Sequence, residues 1–592
     1  MKHKFMYRFL AVTMVLLFVM TGFTTGFSEA AQKESPIALT VDEARTKMET
    51  LYGENHQITD DNYDKSLAVK CINGTFVGKK TEDNIIAFKG IPFVGEQPTG
   101  DLRWKAPVDV VPDNGVYEAY YFGKVPCQWG GTLQIGSLYP QGEDCLHLNI
   151  WKANDTGVKK PVMVWIHGGA FEIGGTPEPR EEGTSFVSEN PEIILVSIEY
   201  RLNALGFLHL SHLPDGADYP DAQNLGLMDQ IAALKWIHEN IAHFGGDPEN
   251  VTICGHSGGG GKVLCLYQMP EAAPYFQRGV CLSGTTPQPP STEAEDTRAL
   301  AREMLNVLGI GKENIQEVYT VPFVKLRWAY RQVARRLFDE GRYVIFEPEI
   351  TDNFIGFPPF NGFAPCSNQK PLIISSVLGE FAACPLSPEE KEAMSEDDKI
   401  AFLRKTFGDV ADELITRFRS AYPNHDILDL TATDTVFRQP AIDAAYEKAA
   451  SGSGNTYLCM ASPNTLENGR TPLWHGGEVG YAFRNTDRVF VLCDPENGER
   501  LTNIFSSILL NYARTGDPNN EYLPHWEPFT AENPCTMVID SDCELRMARD
   551  ENGKAQTFDQ ALQTLLCSVT PPFKLPPMFA EGANDAQIGM DR

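Results

Sequence analysis

The sequence is short of positive charge. Its 50 Lys and Arg face 79 Asp and Glu, a formal net charge of -29 over 592 residues. Phosphate backbones need a basic footprint, so nucleic acid is excluded as a partner. An anionic membrane surface is disfavoured for the same reason. C-x-x-C pairs are missing, and no Cys/His spacing matches a zinc site, so neither metal nor cofactor is expected. Internal repeats are also missing. The 13 Cys are an odd number, which leaves at least one thiol unpaired if the others pair internally. Cys254, Cys265, Cys281 and Cys459 lie in apolar runs, where a free thiol behaves as a small hydrophobe.

Long apolar runs are absent too, except at the N-terminus. Lys2, Lys4 and Arg8 precede the apolar run Phe9 to Met20, and Ser28-Glu29-Ala30 offers small residues for cleavage before Ala31. This is the pattern of a signal peptide over residues 1–30, with an uncleaved anchor as the alternative. No Cys follows the apolar run to carry a lipid. The expectation is a secreted, periplasmic or extracellular protein with no stable membrane partner after cleavage.

What is present has the composition of a soluble globular protein, 42% apolar and 22% charged. Residues 31–66 are polar and read as a leader or arm. Residues 67–570 read as the folded domain, and 571–592 as a tail. Val162 to Ile166 and Ile193 to Ile198 are nearly continuous β-branched runs, as buried central strands should be. Leu146 to Trp151, Val280 to Leu282, Leu372 to Val377 and Val489 to Leu492 read as further strands. Leu227 to Ile241 has helical spacing and stops at Phe244-Gly245-Gly246. Leu501 to Ala513 does the same and stops at Thr515-Gly516-Asp517-Pro518. The alternation predicts an α/β domain with a largely parallel sheet. Two helical, charged stretches interrupt it, Thr292 to Glu340 and Glu389 to Ala450. They are either extra surface helices or walls of a site.

The chain is organised around Val251-Thr252-Ile253-Cys254-Gly255-His256-Ser257-Gly258-Gly259-Gly260. Strand, sharp turn and helix are the context in which G-x-S-x-G is a nucleophile elbow. The plain alternative is a glycine-rich turn that holds a serine. A serine hydroxyl needs a base. Of the 12 His, only His425, His475 and His525 follow Ser257. His425 reads as part of a surface turn and His525 as part of a late loop. His475 lies in a glycine-flanked loop, His475-Gly476-Gly477-Glu478, where a base could reach an elbow. His256 adjoins the serine but should point away from its hydroxyl, leaving it a supporting role at most. An oxyanion hole needs unobstructed backbone donors. His167-Gly168-Gly169 follows a strand and supplies two at Gly168 and Gly169, and Gly258 adds a third.

These pieces, in this order, resemble the type-B carboxylesterases, which include cholinesterases and bacterial p-nitrobenzyl-type esterases. The resemblance runs from about Leu67 to Asp540. It rests on Phe88-Lys89-Gly90-Ile91-Pro92-Phe93, Leu102-Arg103-Trp104, Glu143-Asp144-Cys145-Leu146-His147-Leu148-Asn149-Ile150-Trp151, His167-Gly168-Gly169, Asn224-Leu225-Gly226-Leu227-Met228-Asp229-Gln230, the elbow, and His475-Gly476-Gly477-Glu478. It implies an α/β-hydrolase fold with a large, mostly parallel central sheet and helical insertions that form an active-site gorge. It also implies a small-molecule ester substrate, a Ser-Glu-His triad and an acyl-enzyme. Family members carry a disulfide at the positions of Cys127 and Cys145, so a bridge is expected there. The elbow of the family is usually GESAG. Here His256 replaces Glu and Gly258 replaces Ala, which removes a gorge carboxylate and weakens a cholinesterase reading.

The acid of the triad must lie between Ser257 and His475, on a loop after a strand. Glu380 follows the run Leu372 to Val377, and Gly379 gives the chain room to turn. Its family counterpart is a Glu at a similar strand end. Asp426 and Asp352 come next. The reading is a serine esterase, with a lipase acting on longer-chain esters or a non-catalytic binding protein on the same fold as alternatives. Phe122, Trp129, Phe171 and Phe381 are candidate gorge aromatics.

Overall fold

A computed structural model describes residues 53–570, apart from 82–83, 129–138, 286–293, 312–313, 343, 353, 357–361, 453 and 467–469. The signal segment, most of the arm, Trp129 and the tail lie outside the described residues.

Eleven strands among the described residues make one sheet. In chain order they are β1 (Lys79–Lys80), β2 (Ile85–Pro92), β3 (His147–Ala153), β4 (Lys160–Ile166), β5 (Ile194–Ile198), β6 (Gly246–His256), β7 (Arg278–Leu282), β8 (Leu372–Val377), β9 (Thr456–Ala461), β10 (Thr536–Ile539) and β11 (Cys543–Arg546). Their order across the sheet is β11-β10-β9-β8-β7-β6-β4-β5-β3-β2-β1. The run from β10 to β5 is parallel, and both edges are antiparallel. This is the large, mostly parallel sheet of an α/β-hydrolase. No helix of the described residues is long and apolar enough to cross a membrane.

The central strands are β-branched because both faces are covered. Along β4, Val162, Val164 and Ile166 pack into one core with Leu227, Leu234 and Ile237 of helix α1 (Leu225–Asn240). Met163 and Trp165 alternate to the opposite face. There they meet Leu501, Ile504 and Ile508 of a long C-terminal helix (Gly498–Thr515). A period of two therefore splits one strand between two cores. Helix α1 runs into a short 3₁₀ turn that Gly245 ends at φ 92°. The C-terminal helix stops at Gly516, φ 80°. Both sit at the glycines the sequence marks as stops, in a left-handed conformation that costs glycine little.

Several expectations are corrected. Val489 to Leu492 is no strand but part of two 3₁₀ turns, Thr486–Arg488 and Phe490–Leu492. Its N–H groups close local turns instead: Val489 to the Thr486 carbonyl and Leu492 to that of Val489. The arm is not loose throughout. Asn55 donates to the carbonyls of Lys89 and Tyr121 and accepts from the N–H groups of Tyr120 and Tyr121, which ties residues near it to the domain. His425 is not on the surface. It is buried with Asp429 and Asp540 at 3.0 and 3.2 Å; burial opposes its charge, but the two carboxylates carry it up to about 9. Cys127 and Cys145 are free thiols rather than a bridge, although they line one small cavity with Arg103 and Glu143. Burial pushes Cys127 up to about 12 and Cys145 well above the ordinary thiol value.

The insertions lie against the body rather than floating. They contribute helices α2 (Phe323–Asp339) and α3 (Arg438–Ser451). Arg438 opens α3 fully buried and grips Asp559 at two points, 2.7 and 2.9 Å. Removing one partner of such a pair leaves an uncompensated charge in the core. Asp559→Ala is expected to lose about 3–5 kcal/mol of stability, read from urea midpoints against the unmodified chain.

Candidate active site

Strand β6 ends at His256, and helix α4 (Gly258–Tyr267) begins one residue after Ser257. Ser257 is the hinge between them, at φ 58°, ψ -128°. Its N–H is anchored to the Leu282 carbonyl at the end of β7, 2.8 Å away. A non-glycine residue in this region is strained by roughly 1–3 kcal/mol. Of the ten such residues described, four surround this turn: Ala170, Ser257, Ser283 and Glu380. Strain concentrated in this way marks a site held in place by its surroundings.

Glu380 follows β8, as the sequence suggests, and its backbone turns at φ 33°. Two backbone bonds zip this loop to the histidine loop, Gly379 N–H to Leu473 at 2.9 Å and His475 N–H to Glu380 at 3.0 Å. The side chains then meet. His475 Nδ1 and Glu380 Oε2 share a hydrogen bond, while Glu380 Oε1 accepts from the Val377 N–H at 2.9 Å, and burial raises Glu380 to about 8. With Nδ1 engaged by Glu380, Nε2 is the ring's free nitrogen, and this buried atom has no hydrogen-bond partner among the described residues. Burial holds the His475 imidazole neutral, down to about 4. A neutral ring with a free Nε2 is in the state a general base requires.

Behind His475 lie carboxylates that the sequence reading did not assign. Glu478 and Asp434 are both raised to about 7, first by burial and then by the charge of Glu380. Asp434 is not idle, since its oxygens take the N–H groups of Val436, Phe437 and Arg438 and so cap α3. That cap carries Phe437 onto His475, stacked 18° from parallel at 4.9 Å. Phe381 packs against the same ring at 4.2 Å. His256 is buried and also lies against His475, ring centroids 4.5 Å apart. The first insertion reaches the site as well, through Tyr330 of α2, which donates to Glu172 just beyond the glycine loop. Phe171 packs on Phe207 instead, and Phe122 on Trp151. Of the other carboxylates considered, Asp352 is exposed and Asp426 is paired with Lys399. His525 is exposed.

The glycine loop crowds the serine from the other side. A Cβ on Gly168 would lie 3.0 Å from the His256 carbonyl oxygen and 3.3 Å from Ser257 Cβ, so a side chain there would press the loop away from the elbow by a few tenths of an ångström. Gly169 sits at φ 101°. Gly258 faces Ala170, whose N, Cα and O would all clash with a Gly258 methyl. Backbone N–H groups of Gly168, Gly169, Ala170 and Gly258 donate to no other described residue. Ala170 is thus a fourth open donor that the sequence reading passed over. The signal for it was its place next to a Gly-Gly pair. His167 braces the loop: its ring stacks on Tyr200 at 4.3 Å, and its carbonyl accepts the Tyr200 hydroxyl at 2.5 Å.

Among the described residues, His209, His212 and Glu349 are grouped closely enough to hold a metal ion. Glu349 is already engaged there by Arg298 and by His212 Nε2.

The arrangement has counterparts. A model of the carboxylesterase family matches residues 65–558. The para-nitrobenzyl esterase of Bacillus subtilis (strain 168) is 29% identical over 510 residues, covering 85% of this chain and 99% of that one. The phenmedipham hydrolase of Pseudarthrobacter oxydans is 31% identical, covering 80% and 95%. Among solved structures, an esterase from anaerobic Clostridium hathewayi that can hydrolyze aliphatic aromatic polyesters superposes with a TM-score of 0.77. It is 33% identical, and the match covers 87% of this chain and 100% of that chain.

The tight fit at Gly258 generates a test. Gly258→Ala must displace the Ala170 backbone, and a displacement of about 1 Å at a reacting centre can cost roughly 10²-fold in rate. Ester turnover should fall on that scale with an unchanged circular dichroism spectrum.

Proposed function

Because the chain belongs to the carboxylesterase family and is a carboxylic ester hydrolase, we propose that Ser257, His475 and Glu380 hydrolyse its ester through an acyl-enzyme. The observation that carries this reading is the hydrogen-bonded Glu380–His475 pair, whose ring leaves Nε2 free and packs on His256, the residue before Ser257. Ser257 Oγ attacks the ester carbonyl while His475 Nε2 takes its proton. The tetrahedral oxyanion accepts hydrogen bonds from backbone N–H groups of the glycine loop and Gly258. Each is worth ~2.7–4 kcal/mol of barrier. Collapse expels the alcohol, which takes the proton from His475. Water then repeats the cycle and releases the acid. Glu380 holds the ring in its working tautomer and stabilises the transient imidazolium without taking the proton itself.

Phe381 and Phe437 set aromatic faces against His475, which suits an ester that carries an aromatic group. The names of the relatives fit that choice. The charged n-region and apolar run at the N-terminus support export, with the mature chain starting at Ala31. Sequencing the N-terminus of protein recovered outside the cell checks that start.

Three outcomes are expected. A fluorophosphonate probe should label the protein at Ser257, and Ser257→Ala should abolish both labelling and turnover of a soluble p-nitrophenyl ester. Persistent turnover in pure Ser257→Ala would reject the mechanism. Glu380→Gln should lower kcat by roughly 10⁴-fold, by analogy with the Asp→Asn change in the serine-protease triad. The third concerns pH. His475 serves as a base only when neutral, so activity falls as pH drops through its pKa. Burial moves that pKa down from 6.5 to about 4, so kcat/KM should hold steady from neutral pH past 6.5 and decline only nearer 4.

A further inference from the structure

Lys262 sits five residues after Ser257, on α4, and its side chain is fully buried. A buried ammonium normally finds a carboxylate, because taking an isolated charge out of water is costly. Lys262 has no ion-pair partner among the described residues. Its Nζ donates instead to two backbone carbonyls, those of Ala170 and of Gly258, the latter at 3.2 Å. Two aromatic faces complete its surroundings, Phe171 at 4.4 Å and Tyr200 at 5.0 Å. Cation–π contact offsets part of the desolvation cost.

A lysine that only filled space here would be better replaced by an apolar side chain. The identity of its two acceptors points elsewhere. Ala170 and Gly258 are the residues whose unpaired N–H groups lie next to each other beside the elbow. Ala170 also holds φ 54°, a conformation an alanine does not keep without restraint. Tying its carbonyl to Lys262 supplies such a restraint. The same bond pattern sets the Lys262 amine a few bonds from both donors; burial lowers it to about 7, so at neutral pH it carries its charge in part, in a water-poor region where charge acts strongly.

We propose that Lys262 is a positioning residue of the oxyanion site: it clamps Ala170 and Gly258 by their carbonyls and, in its protonated form, places a positive charge beside the developing oxyanion. This rests on the acyl-enzyme reading above. The role is specific to charge that appears in the transition state, so it should leave ground-state ester binding almost untouched.

The test uses the full mature chain with Lys262→Met and Lys262→Gln. Lys262→Met keeps the length of the side chain and removes both charge and donors. It should lower kcat on a p-nitrophenyl ester roughly 10- to 100-fold, less than or comparable to losing one oxyanion donor, with KM within about threefold. Affinity for a phenyl trifluoromethyl ketone, which adds to the serine as an anionic adduct, should fall by the same factor as kcat. The thermal midpoint should stay level or rise, because an unpaired buried charge has been removed. Lys262→Gln can still donate to the carbonyls and should recover part of the loss. Unchanged kcat in Lys262→Met, in a wild-type background that is labelled at Ser257 and turns over ester, overturns the proposal alone. So does a loss of kcat accompanied by an equal loss of thermal midpoint in both variants, which marks a purely structural lysine. A wild-type chain that neither reacts with fluorophosphonate nor turns over ester defeats the acyl-enzyme reading itself, and this inference with it.

Discussion

The site depends on one buried contact, the hydrogen bond between Glu380 and His475. Both groups are out of water, so each is penalised for carrying charge, and the bond between them decides where the proton sits. Backbone bonds do the first part of the positioning. The Glu380 and His475 loops are zipped together before their side chains meet. The ring is then clamped by Phe381, Phe437 and His256. No part of this holds if α3 drifts. Its cap on Asp434 and the buried Arg438–Asp559 pair are therefore remote supports of the same contact.

Strain and charge are placed consistently with that contact. Ala170, Ser257, Ser283 and Glu380 hold backbone conformations that cost free energy, and the parallel sheet over-determines them. Gly168 and Gly258 let two loops approach the serine more closely than any side chain would permit. The departure from the usual elbow then has a local reason. Gly258 stands where the family commonly has alanine, and here the Ala170 backbone occupies the space a methyl would need. The other departure, His256, puts a buried neutral ring against His475 in place of a carboxylate.

Much of this was legible in the chain because it depends on local pattern. The runs Val162 to Ile166 and Leu372 to Val377 read as buried strands and are β4 and β8. Helix ends at Gly245 and Gly516 followed from backbone chemistry. Glu380 and His475 were reachable from a strand end and a glycine loop, and they do meet. What was not legible depends on partners far away in sequence. Thr456 to Ala461 is a strand only because β8 and β10 flank it. Val489 to Leu492 has strand-like residues, but its N–H groups close local 3₁₀ turns. His425 is buried by Asp540, more than a hundred residues on, which no local pattern announces. Phe437 and Lys262 looked like ordinary helix residues until the fold brought them to His475 and Ala170. The expected bridge between Cys127 and Cys145 came from resemblance, and in this structure both are thiols lining one small cavity.

The central claim is that a covalent acyl group passes through Ser257. The most direct measurement is rapid quenching of the protein with a p-nitrophenyl ester in the pre-steady state, followed by mass analysis of the peptide that contains Ser257. The account predicts a transient mass increase equal to the acyl group, located on Ser257, that forms with the first burst of nitrophenol and decays at the turnover rate. Sustained ester turnover with no acylated Ser257 at any time point, or with the acyl group on another residue, would contradict it.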